Sequence, residues 1–200
     1  MNISKEVYYW WPGYDGIGGY APKGRKGDEI LCLIGDQSPI DWTPIEYQKY
    51  KGWEGIDGGD NPGGAIFPNM LLSQRACTVL GHELKDLGIF LSCVVDGDPT
   101  YSIFHPTRIV DCFDERIGVF KGFGDIYAFH KEKVPATGIF LVPQDATAIF
   151  TTRHFVELIR KHKLTGFKFT KVWSSETGPM RVKVINGDVA LVPLEQSSPD

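Results

Sequence analysis

The apolar positions along this chain change rhythm near residue 65. After that point they are regular. From Ser73, the residues Ala76, Val79, Leu80, Leu84 and Leu87 recur at intervals of three and four, which places them on one helical face, and Gly88 stops the helix. "AIFPNMLLS" leads in as extended chain, and "IFLSCVV" follows as a strand. "YSIFHPTRIVDCF" is a second extended stretch, interrupted by Pro106, and "DIYAFH", "GIFLV" and "AIF" read as short strands. Thr151 or Thr152 then caps a second helix that turns Phe155, Val156 and Ile159 inward. Gly166 ends it, and "GFKFTKVW" alternates as a strand. "MRVKVINGDVALVPL" predicts a hairpin with Asn186-Gly187 as a two-residue turn.

Before residue 65 the rhythm is broken. Thirteen of the 23 glycines lie there with Trp10, Trp11, Trp42 and Trp53, so this half reads as loops anchored by large rings. "ILCLI" (Ile30–Ile34) reads as a buried strand. "TPIEYQKYKG" predicts a short helix, with Thr43 as N-cap, Pro44 at the first helical position, Glu46 closing a capping box and Gly52 as the stop. "GIDGGDNPGG" reads as a long turn or a mobile loop. Together these elements predict an α+β fold: a mixed, largely antiparallel sheet, two main helices and a loop-rich N-terminal half. The division is residues 1–65 as a Gly/Trp-rich variable region and 66–200 as an α+β core with a C-terminal hairpin, or one single domain over 1–200.

One internal echo is visible. "LLSQRACTVLGHELKDLGIFLS" and "IFTTRHFVELIRKHKLTGFKF" share an order: apolar extended residues, a hydroxyl, an arginine (Arg75, Arg153), a helix, a glycine and an aromatic strand. Convergent packing of two similar units explains this equally well.

Composition narrows the class of protein. A chain of 200 residues, 42% hydrophobic, can bury about 70% of its unfolded surface. A net charge of −4 argues against a field that gathers nucleic acid or anionic lipid. "MNISKEVYYWWPGYDG" has no basic stretch followed by an apolar one, as a signal peptide would, and no apolar run is long enough to span a bilayer. Cys32, Cys77, Cys93 and Cys112 are not spaced as C-x-x-C, so the expectation is reduced core cysteines in a cytosolic protein.

The search for reactive motifs returns little. His82 opens "GHELKD", but the position where a zinc helix needs its second histidine is Asp86. His154 and His162 lie two turns apart, too far to share a metal. His105 and His130 sit in extended runs and read as half-buried, satisfied histidines. There is no G-x-S-x-G elbow, and the glycine-rich "GIGGYAPKGRKG" lacks the strand-to-helix setting of a phosphate loop. The expectation is no catalytic residues, no metal and no cofactor. A small hydrolase or transferase that assembles a His/Asp or Cys/His pair in space stays as the alternative, and a sugar platform of tryptophans is third.

Charge is unevenly distributed. Asp28, Glu29, Asp36, Asp41, Glu46, Glu54, Asp57 and Asp60 face only Lys49 and Lys51, a net −6. From Arg153 to Lys171 six cations face only Glu157, a net +5. A solvated surface is the plain explanation. The functional one is an acidic face, with Trp42 and Trp53 as anchors, that meets a basic partner: opposite charge speeds encounter and buried rings hold the complex.

The run from about Met70 to Trp173 resembles a large family of bacterial immunity proteins found beside polymorphic, contact-delivered toxins. The likeness rests on the helix start at Ser73, on "RIVDCFDERIGVF" (Arg108–Phe120) with Asp111 and Asp114, on "IYAFHKEKVPATGIFLV", and on the closing "TTRHFVELIRKHKLTGFKF". It covers about half the chain and leaves the first 65 residues outside. It implies a cytoplasmic protein that binds and blocks a cognate toxin stoichiometrically and contributes no catalytic residues. The closing block would be scaffold.

Overall fold

The structure is a computed structural model that describes residues 4–12, 19–23, 42–49, 59–63, 68–120, 125–185 and 188–192. The strand expected at Ile30–Ile34 lies outside these residues. The fold is α+β. Among the described residues twelve strands form two sheets, and two helices lie in the core that the sheets share.

The first sheet contains β1 (Glu6–Pro12), β8 (Ile139–Val142), β9 (Asp145–Thr152), β10 (Phe167–Ser174), β11 (Gly178–Ile185) and β12 (Asp188–Val192), in the order β12-β11-β10-β1-β9-β8. Short β7 (Ile126–Tyr127) pairs with β11. All its named strand pairs are antiparallel. The β11–β12 hairpin pairs Ile185 opposite Asp188; Asn186 and Gly187, expected as its turn, lie outside the described residues. The second sheet is mixed. It has the order β2-β3-β5-β6-β4, from β2 (Tyr20–Pro22), β3 (Ile45–Lys49), β4 (Met70–Leu72), β5 (Gly88–Val95) and β6 (Ser102–Pro106), with β3 parallel to β5.

Helix α1 (Gln74–Leu84) joins β4 to β5, and α2 (Arg153–Lys161) joins β9 to β10. The two units share more than the sequence echo. β4 and β5 each pair antiparallel to β6, which lies between them; β9 and β10 each pair antiparallel to β1 in the same way. Each unit is therefore a strand–helix–strand crossover, split by one inserted antiparallel strand. Leu80 and Leu84 of α1, Phe155 and Ile159 of α2, Met70, Leu72 and Phe104 of the second sheet and Trp10, Ile139 and Ile149 of the first form one buried cluster. The opposite face of the first sheet buries Val7, Phe140, Phe150 and Trp173 against Cys112, Phe113, Tyr127 and Phe129. Among the described residues no helix is long and apolar enough to cross a membrane.

Four local expectations are corrected. The stretch from Thr43 is a strand, not a helix: Ile45 and Tyr47 are buried while Glu46 and Gln48 are exposed, a period of two, and β5 supplies the backbone partners. The described part of the first 65 residues is not set apart from the rest, because β1 is an inner strand of the first sheet and β2 and β3 extend the second, in keeping with the single-domain alternative. Thr152 occupies the N-cap of α2, yet its hydroxyl donates to the Gly138 carbonyl at 3.3 Å rather than capping the helix. Gly166 is not the helix stop. Leu164 N–H reaches the Ile159 carbonyl and Lys163 N–H the Arg160 carbonyl, both at 3.1 Å, which is a Schellman ending with Lys163 in the left-handed position at φ 50°. Gly166, at φ 83°, is needed elsewhere: a Cβ there would collide with the Asn61 backbone.

Candidate functional site

The extended chain after β6 runs beside β8, with Val110 N–H on the Leu141 carbonyl at 2.9 Å. It then pairs with the segment around Phe129, through His130 N–H to the Cys112 carbonyl (2.8 Å) and Asp114 N–H to the Ala128 carbonyl (2.9 Å). This pairing gathers Asp111, Asp114, Glu115, Arg116, His130, Lys133 and Gln144 around a groove of about 310 Å³ that Phe113 also lines.

Asp114 organises the groove. Its Oδ1 accepts Arg116 N–H at 3.1 Å and Arg116 Nε at 3.0 Å, and its Oδ2 accepts Arg116 Nη2 at 2.9 Å. Its carbonyl accepts Gly118 N–H at 2.7 Å, so one residue closes the whole turn. The Arg116 fork holds the Asp114 carboxyl down at about 2. His130 Nδ1 lies 3.7 Å from Oδ2. Lys133 pairs with Asp111 at 3.0 Å, and Gln144 Nε2 donates to Glu115 at 2.6 Å. The Gln144 Oε1 is buried without a partner.

The groove thus holds the spatially assembled His/Asp pair that an enzyme reading requires. Arg116 occupies both carboxylate oxygens, which leaves little of Asp114 to orient an imidazole. The nearby Cys112 thiol is buried and pushed up to about 12, so it is protonated at neutral pH. Burial also raises the Cys77 thiol and takes Cys93 up to about 12. All three are free thiols. Among the described residues no three metal-ligating side chains converge.

A second cleft of about 310 Å³ opens at the first turn of α2, between Lys5, Glu6, Pro135, Ala136, Arg153, His154 and Glu157. Burial opposes ionisation of Glu6, but the Tyr8 hydroxyl at 2.7 Å, with Lys171 and Arg153, outweighs it and holds the carboxyl below its usual range.

Of the acidic face expected from sequence, Asp28, Glu29, Asp36, Asp41, Trp53, Glu54 and Asp57 lie outside the described residues. Glu46 is exposed and pairs with Lys23 at 3.3 Å. Trp42 donates Nε1 to the Ser92 carbonyl at 2.8 Å and packs on the cluster around Tyr47, which makes it a half-buried anchor. Asp60 is corrected outright. It is buried, and its carboxylate accepts from Ser73 Oγ (2.9 Å), Arg75 Nη1 (2.8 Å) and Thr165 N–H (2.9 Å), so it joins the starts of α1 and β10 rather than facing a partner. One sign of the groove is visible in the sequence: Asp114 followed two residues later by Arg116 and then Gly118, a turn signature. No family model and no curated protein matches this chain.

Proposed function

We propose that this chain is an immunity protein that neutralises a cognate bacterial toxin by stoichiometric binding. The observation that carries the reading is how the resembling blocks behave. The inner face of Thr151–Phe169 is scaffold, with Phe155, Val156 and Ile159 buried, while within Arg108–Phe120 the side chains of Asp111, Glu115 and Arg116 form an exposed charged rim on a turn fixed by buried Asp114. A rigid core that presents charged loops suits recognition. The acid-rich segment from Asp28 to Asp57, with exposed Glu46, supplies attraction for a basic toxin surface.

Co-expression with the toxin from the adjacent reading frame tests this. A binder protects only up to equimolar toxin and co-purifies as a 1:1 complex. Reversing Asp36, Asp41 and Asp57 to Lys slows association. Protection by a small fraction of an equivalent, without a stable complex, would sink the proposal. The His130–Asp114 geometry favours one second reading, a small enzyme that modifies the toxin. Its mark is a folded His130→Ala variant that still binds the toxin yet no longer protects.

A further inference from the structure

We propose that the end of α2, from Arg160 to Lys163, is a docking surface for an acidic polypeptide, distinct from the groove and from the acid-rich segment. Arg160, Lys161, His162 and Lys163 are consecutive, all exposed, and none forms a salt bridge among the described residues. The neighbouring cations differ: Arg153 pairs with Glu157 at 2.9 Å, and Lys171 with Glu6 at 3.4 Å.

Backbone conformation supplies an independent observation. Lys163 holds φ at 50° in the Schellman position, where glycine sits without strain. Among the described residues the other non-glycine residue with positive φ is Asp96, which a two-residue Asp96-Gly97 hairpin turn accounts for. At Lys163 the Schellman ending imposes the left-handed conformation, but on a lysine rather than the usual glycine. Its side chain is kept in an unfavourable backbone region and forms no ion pair among the described residues.

The surface is also held still. Arg75 Nη2 donates to the His162 carbonyl at 2.6 Å and to the Lys163 carbonyl at 3.3 Å, while its Nη1 pairs with buried Asp60. Leu164, next in sequence, is buried in the shared core. The four side chains therefore project from a fixed turn, which lowers the entropy lost on binding. The complement of such a patch is carboxylate. A protein fits better than nucleic acid: the chain is net negative, and the next rings along the chain, Phe167 and Phe169, stack on each other at 6.2 Å and pack against the core rather than offering a platform for bases.

Fluorescence anisotropy with a labelled Glu-rich peptide tests this, with a charge-matched DNA oligonucleotide as comparator. The expected result is peptide binding that weakens with salt and falls roughly tenfold or more when Arg160, Lys161 and Lys163 are all changed to Gln. A single Lys163→Gly change separates function from fold: it should weaken binding while raising Tm by about 2 °C, because it relieves the left-handed lysine. The proposal is overturned if the peptide fails to bind, if the triple variant binds it as wild type does, or if the oligonucleotide binds more tightly. None of these outcomes depends on a toxin, so the immunity reading stands or falls separately.

Discussion

Two aspartates in this protein each accept from an arginine, and they do different work. Asp60 is a joint: one carboxylate ties the loop before α1, the start of α1 and the turn after α2. Asp114 is a turn builder whose arginine stays largely in solvent. Its depressed acidity makes a pH prediction. The unfolded chain takes up this proton near about pH 4, whereas the folded chain waits until about 2. The contribution is therefore complete above about pH 4 and is lost as pH falls towards 2. Asp114→Asn should flatten the fall in stability across that window, leaving the share due to Glu6 and Asp98, which are also held low. Denaturant unfolding at stepped pH measures it. Parallel curves for variant and wild type would show that the Arg116 contact adds nothing.

At the scale of elements, α2 is the plainest test of packing. Phe155 and Ile159 are buried on one face and share a cluster with α1 and both sheets. Phe155→Ala or Ile159→Ala should cost about 2–5 kcal/mol through the cavity left behind. Thermal melts that match wild type would mean the core closes over the gap. The same helix shows what sequence reveals. Its buried face was legible, because a period of 3.6 is local information. So was α1 itself, from its Ser73 cap; but it ends at Leu84, and Gly88, expected as its stop, is the first residue of β5. The Thr43 stretch was misread because its Thr-Pro-x-Glu signals are local, whereas the strand is made by pairing with β5, more than forty residues on. His130 and Asp114 could not be placed together from sequence, since only the Phe113–Phe129 bridge brings them near. Gly166 looked like a helix stop because the spacing fits; the approach of Asn61 that truly requires it is invisible in one dimension.

At the scale of the whole molecule, β1 decides how the chain divides. It lies between β9 and β10 and pairs with both, so residues 66–200 alone would leave those two strands without a common partner. The fragment 66–200 should therefore lack a cooperative thermal transition and near-ultraviolet dichroism. A sharp melt from that fragment would show that the C-terminal part is a domain in its own right. The position of β1 also sets an order of events during synthesis. Its residues, "EVYYWWP", leave the ribosome well before any residue of β9 or β10 is made. At ordinary elongation rates that gap lasts on the order of ten seconds, during which an aromatic strand has both edges open. The first sheet can close only once translation has passed Ser174. A cell that relies on this chain must shield a sticky nascent segment throughout that interval, and fresh mRNA yields working protein only after the delay.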